Sequence, residues 1–419
     1  MKLQKQDGRM HYFPWMVKWT LVFFLVSSIV GSFSAFFLHS LDFVTYVRES
    51  HREIFYLLPL AGFCIGWAYH HFGSKANKGN NLLLEEIHSP SSVIPFRMAP
   101  FVLVSTLITH LFGGSAGREG TAVQIGGTIA HQFGRFHHFQ LKEQQTLIIL
   151  GISAGFSAVF GTPIAAAIFS IEVIQVGNIR WKLFLPTLFI AWLSHKVCLL
   201  WNVKHSVFPE VSLHLEIRLI LGLLLLAFVS GLVAKLFIWL LHFLTKQSQN
   251  WISYPPLRPF FGGFILLVFL LSGVRFAYFG LGVDTIERSF YETMAKDAFF
   301  WKLLLTGITI GFGFKGGEVT PLFFIGATLG NLFSFIEPIY LPIFVSVGFI
   351  SVFAGATNTP VACAFMGMEL FGFSNGFLFL ILAQIAYITS GHTSIYSSQI
   401  VTKRIWFLPK RKVSKEKLK

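Results

Sequence analysis

The segment Gly113-Gly114-Ser115-Ala116-Gly117-Arg118-Glu119-Gly120-Thr121 gathers residue types that can handle an anion and a proton at one place. Its glycines leave backbone N–H groups open to a small anion. The helix-compatible stretch that follows, Ala122-Val123-Gln124-Ile125-Gly126-Gly127, adds a helix N-terminus whose partial positive charge favours one. Glu119 stands in this loop. Burial disfavours an ionised carboxylate, whereas amide donors and Arg118 favour it, so the group is placed to exchange protons. A carboxylate that competes with the anion when ionised and withdraws when protonated would couple two fluxes. The alternative is a local Arg118–Glu119 ion pair that knits the loop; neighbours in sequence on a helix do not face one another, which weakens it.

The same plan recurs in Gly316-Gly317-Glu318-Val319-Thr320-Pro321, ahead of Ile325-Gly326-Ala327-Thr328-Leu329-Gly330. Thr320 can donate a hydroxyl hydrogen bond, and Pro321 suits a first helical turn, where its missing N–H is not needed. An N-cap role for Thr320 is the alternative. Gly79-Asn80-Asn81 opens a third glycine-led helix; Asn80 offers two N–H donors, though capping alone would explain an asparagine there. Tyr396 lies in the polar stretch from Gly391 to Gln399, where its phenol can donate to a dehydrated anion or serve as an interfacial anchor.

The elements that must position these residues are membrane-embedded. Of 419 residues, 54% are hydrophobic and 12% charged, against roughly a quarter charged in an ordinary soluble domain. Trp19 to Leu41 contains no Lys, Arg, Asp or Glu, enough for a helix through about 30 Å of hydrocarbon and too long for a cleaved signal peptide. Several of the other apolar blocks are too short to cross. Broken, glycine-interrupted helices are tolerated at membrane depth where they are covered by protein or line a water-filled path, which is the plan of a transporter or channel.

An internal repeat orders the chain. Gly151-Ile152-Ser153-Ala154-Gly155-Phe156 lies on Gly348-Phe349-Ile350-Ser351-Val352-Phe353, and the same register matches Thr162-Pro163 to Thr359-Pro360 and Glu172 to Glu369. Upstream, Gly117 falls on Gly317 and Gly126 on Gly326. The expected divisions are an N-terminal segment 1–18, a first repeat 19–200, a linker 201–215, a second repeat 216–401 and a basic tail 402–419. Paired glycine-interrupted segments in two halves point to a site at their interface.

Net charge is +14, and eight of the 33 basic residues follow Val401. Positive-inside topology accounts for this without nucleic-acid binding and predicts both termini in the cytoplasm. Cys64, Cys198 and Cys363 lack metal-ligand spacing, and the doublets His70-His71 and His137-His138 are expected at the interface, so no metal or cofactor is assigned. No zinc-protease motif or nucleophile elbow supports an enzyme.

With Gly79-Asn80-Asn81, Gly117-Arg118-Glu119-Gly120-Thr121, Gly317-Glu318-Val319-Thr320-Pro321 and Tyr396 in order, the chain resembles the CLC family of anion channels and proton-coupled exchangers from Trp19 to Val401. The resemblance implies an all-α integral membrane fold of CLC type, with two inverted-topology repeats of broken and tilted helices. It implies Glu119 as gate and proton carrier, Asn80, Thr320 and Tyr396 along the anion pathway, and a homodimer in the bacterial inner membrane. Thr121, the Gly317–Pro321 motif and Asn80 depart from the chloride-selective pattern and look like the fluoride/proton antiporter branch. Val173 stands where chloride exchangers often carry an internal proton-relay glutamate, which leaves more of the proton's route to Glu119. A chloride/proton exchanger or a passive anion channel of the same fold is the alternative, since chloride can use the same donors.

Overall fold

The computed structural model describes residues 9–90, 93–211 and 216–402. Residues 403–419 of the expected basic tail, 1–8 of the N-terminal segment and 212–215 of the linker lie outside the described residues. The first half consists of α1 (Arg9–Ser50), α2 (Leu58–Ala68), α3 (Asn80–His88), α4 (Met98–Leu111), α5 (Glu119–Phe136), α6 (Leu141–Phe160), α7 (Pro163–Glu172) and α8 (Phe184–Leu200). The second half follows with α9 (Ile217–Trp251), α10 (Leu257–Leu271), α11 (Val283–Arg288), α12 (Ala298–Gly311), α13 (Val319–Phe333), α14 (Leu341–Thr357), α15 (Pro360–Phe371) and α16 (Gly376–Ser390). Helix α1 starts at Arg9, inside the segment expected to precede the first span.

Helix lengths follow the surroundings of each segment. Six helical stretches among the described residues are long and apolar enough to cross a membrane, Val17–Ser50 and Ile217–Trp251 the longest. At 1.5 Å per residue these two reach about 50 Å, well beyond the hydrocarbon thickness, so they lie tilted. The 10-residue α7 and 12-residue α15 fall short of a span and are almost wholly buried. Both start by the same local chemistry: α6 ends on Gly161 and α14 on Asn358, each left-handed (φ 85° and 58°), then a threonine and a proline at the first helical position open the next helix.

Close helix packing uses the repeated glycines. A side chain on Gly126 of α5 would strike the Gly151 carbonyl of α6, and one on Gly326 of α13 would strike that of Gly348 of α14. Without a hydrophobic force between helices in lipid, such backbone approach is what holds them.

Several contacts relate the halves. Gly117 and Gly317 form an antiparallel bridge in which each N–H donates to the other's carbonyl, at 2.5 and 2.7 Å. Glu172, ending α7, accepts the Val361 and Ala362 amides at the start of α15 (3.1 and 2.8 Å). Glu369, near the end of α15, accepts the Ile164 and Ala165 amides at the start of α7 (3.0 and 2.7 Å). Each carboxylate caps the other half's helix, where orphan N–H groups and the helix dipole favour an anion. Matched residues that bond reciprocally in opposite senses are related by a local two-fold axis. At the far end, β1 (Gln175–Val176) pairs in parallel with β2 (Ile400–Val401), bringing residue 402 back to the first half.

Candidate anion passage and gate

Helix α5 starts at Glu119 itself, so the carboxylate belongs to the first turn and not to the loop expected to contain it. Helix α13 starts at Val319; Thr320 lies within it and Glu318 takes the N-cap position, which corrects the N-cap reading of Thr320. The Gly117–Gly317 bridge holds these two helix starts together. A Cβ on Gly117 would sit 3.0 Å from the Gly317 carbonyl and the Thr320 amide, and one on Gly317 would sit 2.8 Å from the Gly120 amide. Only bare backbone fits this partition.

Glu119 is fully buried. Its Oε2 accepts the Thr320 hydroxyl at 2.6 Å, the Thr320 amide at 3.1 Å and the Arg118 amide at 3.3 Å. Its Oε1 has no hydrogen-bond partner and lies 3.6 Å from the Arg118 Nε. Sequence neighbours therefore do meet here, contrary to the helical expectation. Arg118 (φ −112°) precedes the helix, which frees its side chain to turn back. The short bonds, however, run across to the other half and not to Arg118. The carboxylate thus fills an anion-binding position built from a helix N-terminus and a hydroxyl.

Cavities flank this position. One, of about 560 Å³, is lined by Arg48, Arg52, Lys204 and Arg288 with Asp42, Glu49 and Asp284. It narrows through Arg118, Ser206 and Val283 into a space of about 20 Å³ that Glu119, Thr320, Phe160, Phe208, Phe323 and Phe349 enclose. The phenylalanines lock together, Phe323 stacking on Phe349 at 4.1 Å and Phe160 lying 5.0 Å from Phe323. A second cavity, also about 560 Å³, contains Gly79, Asn80, Gln124, Lys315, Glu318 and Tyr396. Glu119 and Thr320 therefore sit in the constriction reached from the first cavity, and Glu318, two residues before Thr320, faces the second.

The structure brings the sequence candidates together in two groups. Thr320 meets Glu119 directly, whereas Asn80 and Tyr396 share the second cavity. Asn80 opens α3 after Gly79, whose φ of 57° suits glycine, and its side chain makes no cap; its Nδ2 lies 3.2 Å from where a Gly120 Cβ would be, and its Oδ1 is buried without a partner. Tyr396 is 7% exposed, and its chain neighbour Ile395 donates to Ala356. Thr121 turns away from both cavities to share a 2.8 Å hydrogen bond with Thr106 of α4. Val319 and Pro321 are buried in the first turn of α13.

Sequence reading missed several groups. Gln124, one turn beyond Gly120 on α5, lies against Gly79. Lys315 reaches Asn77 Oδ1 at 2.6 Å and covers the Tyr69 ring at 4.3 Å. Glu318, part of the Gly317–Pro321 motif, stands where Arg118 stands in the first half and gives the second cavity a carboxylate. The phenylalanine collar comes from α6, α13, α14 and the linker and carries no local signal.

A family model described as voltage gated chloride channel matches residues 61–391. A chloride/fluoride channel protein of Pseudomonas syringae pv. tomato is 41% identical over 405 residues, covering 95% of this chain and 89% of the relative. The crystal structure of a CLC-type fluoride/proton antiporter superposes with a TM-score of 0.88 at 34% identity, over 92% of this chain and 98% of that one. A slow cyanobacterial Cl−/H+ antiporter shares the fold at a TM-score of 0.78 and 18% identity, over 90% and 96% of the two chains.

Proposed function

The chain belongs to the voltage gated chloride channel family of multi-pass membrane proteins, and from that premise we propose that it is an antiporter that exports fluoride from the cytoplasm in exchange for protons. The observation that carries this reading is the Glu119 carboxylate seated on the Thr320 amide and hydroxyl. A carboxylate and a small anion that need the same donors exclude one another, so anion arrival requires that Glu119 leave these donors, and a proton taken up by the departing carboxylate travels with it. Proton and anion then move in opposite directions through one constriction.

In this mechanism fluoride enters the second cavity, loses water to the Asn80 amide and the Tyr396 hydroxyl, and reaches the Thr320 donors. Fluoride is small and strongly hydrated, and close donors must replace its water. Glu119 gates the constriction and carries the proton, while Arg118 holds positive charge on the side of the first cavity. Gly79, Gly117, Gly120 and Gly317 keep the backbone close, with Val319 and Pro321 fixing the first turn of α13 and Thr121 anchoring α5 to α4.

The support for fluoride over chloride comes from the solved fluoride/proton antiporter, which this chain matches over 92% of its length at 34% identity, while the Pseudomonas relative is named for both ions. The reading places the protein in the bacterial inner membrane with both termini in the cytoplasm. The second cavity, whose Tyr396 leads directly into β2 and the tail, then faces inward, and the first, lined by the far end of α1, faces outward. It takes 19–200 and 216–401 as the two repeats and a homodimer as the assembly, each subunit with its own passage. It requires no enzyme chemistry and no cofactor.

Proteoliposomes test the function. Wild-type protein should drive proton uptake when a fluoride gradient is imposed, and move fluoride uphill when a proton gradient is imposed. Glu119→Gln should abolish proton movement. Equal chloride-driven proton flux would favour a chloride exchanger, fluoride flux without protons a channel, and wild-type proton uptake by Glu119→Gln would sink the role of Glu119.

A further inference from the structure

On the surface where α2 and α4 lie side by side, a groove of about 610 Å³ runs between Cys64, Trp67 and Tyr69 on one wall and Phe101, Val104 and Ile108 on the other. Its polar atoms are already engaged: the Ser105 hydroxyl donates to the Phe101 carbonyl at 2.5 Å and lies 3.4 Å from the Tyr69 hydroxyl. Cys64, Trp67 and Val104 are exposed, the last two at 43% and 52%. Helices of 11 and 14 residues reach only about 15–20 Å, so the groove begins and ends within the depth of the bilayer.

One end of the groove is marked as the membrane interface. Trp67 lies 4.9 Å from the His71 ring and 5.8 Å from Phe72, an exposed aromatic cluster where α2 gives way to a π-helical turn. Such belts sit at headgroup level. Lys75 follows in the next turn, and Arg97 precedes α4, whose Phe101 ring packs on Tyr69 at 5.6 Å. Lys75 and Arg97 are exposed, and neither takes part in an ion pair among the described residues. The seat is thus apolar along its length, with one exposed basic residue six positions beyond Tyr69 of one wall and another four before Phe101 of the other, the chemistry of an anionic phospholipid.

We propose that this groove holds one acyl chain of an anionic phospholipid of the surrounding bilayer, with the headgroup phosphate between Lys75 and Arg97. Its back wall is shared with the ion path: Tyr69 also lines the second cavity, where Lys315 covers its ring at 4.3 Å. A chain seated there braces α2 against α4 directly behind that cavity. The proposal rests on the membrane-spanning fold and is independent of which anion is carried.

Native mass spectrometry of the full chain, equilibrated in detergent with equimolar phosphatidylglycerol and phosphatidylcholine, tests it. One phosphatidylglycerol per chain should survive activation that strips phosphatidylcholine. Val104→Trp and Cys64→Trp, which fill the groove from either wall at exposed positions, should each lose the retained lipid. The double variant Lys75→Gln, Arg97→Gln should keep a lipid but lose about thirtyfold in headgroup preference. Equal retention of both lipids by the wild type overturns the proposal. So does wild-type retention by both groove-filling variants, or an unchanged headgroup preference in the rim variant.

Discussion

One Glu119 carboxylate oxygen receives both the amide and the hydroxyl of Thr320, a residue 201 positions away on the other half of the chain. In the proposed mechanism, the donors that Glu119 occupies are thereby the donors that an anion would need. Thr320→Ala removes the shorter of the two bonds. Hydrogen bonds to charged groups contribute about 1.5–3 kcal/mol, so fluoride affinity should fall by about 10- to 100-fold, and Thr320→Ser should recover most of it. Isothermal titration of fluoride onto the purified protein reads this out; unchanged affinity in the alanine variant would remove Thr320 from the anion path.

Asn80 and Tyr396 line the second cavity, and neither is hydrogen-bonded to Glu119. Their loss should slow fluoride movement while proton coupling survives. For Tyr396→Phe and Asn80→Ala we expect about a tenfold fall in fluoride efflux with an unaltered ratio of protons to fluoride, one hydrogen bond to the ion having been withdrawn. Simultaneous recording of both ions from loaded vesicles separates rate from ratio, and a changed ratio would place these residues on the proton route.

Gly117 is confined by the backbone of the other half. Its replacement by alanine puts a methyl carbon 2.9 Å from Pro321 Cδ and 3.0 Å from the Gly317 carbonyl. Overpacking of this kind costs about 1–3 kcal/mol, and here it opens the bridge that aligns Glu119 with Thr320. Gly117→Ala should therefore lose both fluoride and proton flux while still running as a folded particle on size exclusion. Full activity would show that the bridge is dispensable.

Glu172 and Glu369 offer a test of the fold with the ion path left aside. Glu172→Gln or Glu369→Gln leaves one acceptor and turns an amide NH2 towards backbone N–H groups. Each should destabilise by about 1.5–3 kcal/mol and lower the thermal midpoint. Fluoride transport below that midpoint should persist. A midpoint equal to wild type for both variants would deny the caps a structural role.

Much of this was legible in the chain because glycine, threonine-proline and glutamate carry local instructions. Gly79, Gly117 and Gly317 mark helix starts, and Thr162-Pro163 and Thr359-Pro360 open α7 and α15 where the repeat register puts them. The likeness of Glu172 to Glu369 was visible too, but not what each binds. Their partners lie 189 to 205 residues away, and no local pattern encodes a bond across a two-fold axis. The same holds for the collar of Phe160, Phe208, Phe323 and Phe349, four residues among 49 phenylalanines. Gln124 and Lys315 were hidden for a different reason: a polar residue, whether on a buried helix like Gln124 or in the α12–α13 connection like Lys315, announces a partner without naming it.

The exchanged caps also set a timetable for biogenesis. The amides of Ile164 and Ala165 obtain their carboxylate only when Glu369, about two hundred residues later, has been made and inserted. At roughly 5–20 residues per second, the nascent first half waits some 10–40 s in the bilayer with the start of α7 uncapped. Residues 1–200 synthesised alone should therefore be held by insertase or degraded, and should be rescued by the separately expressed remainder, since each half carries the other's missing acceptor.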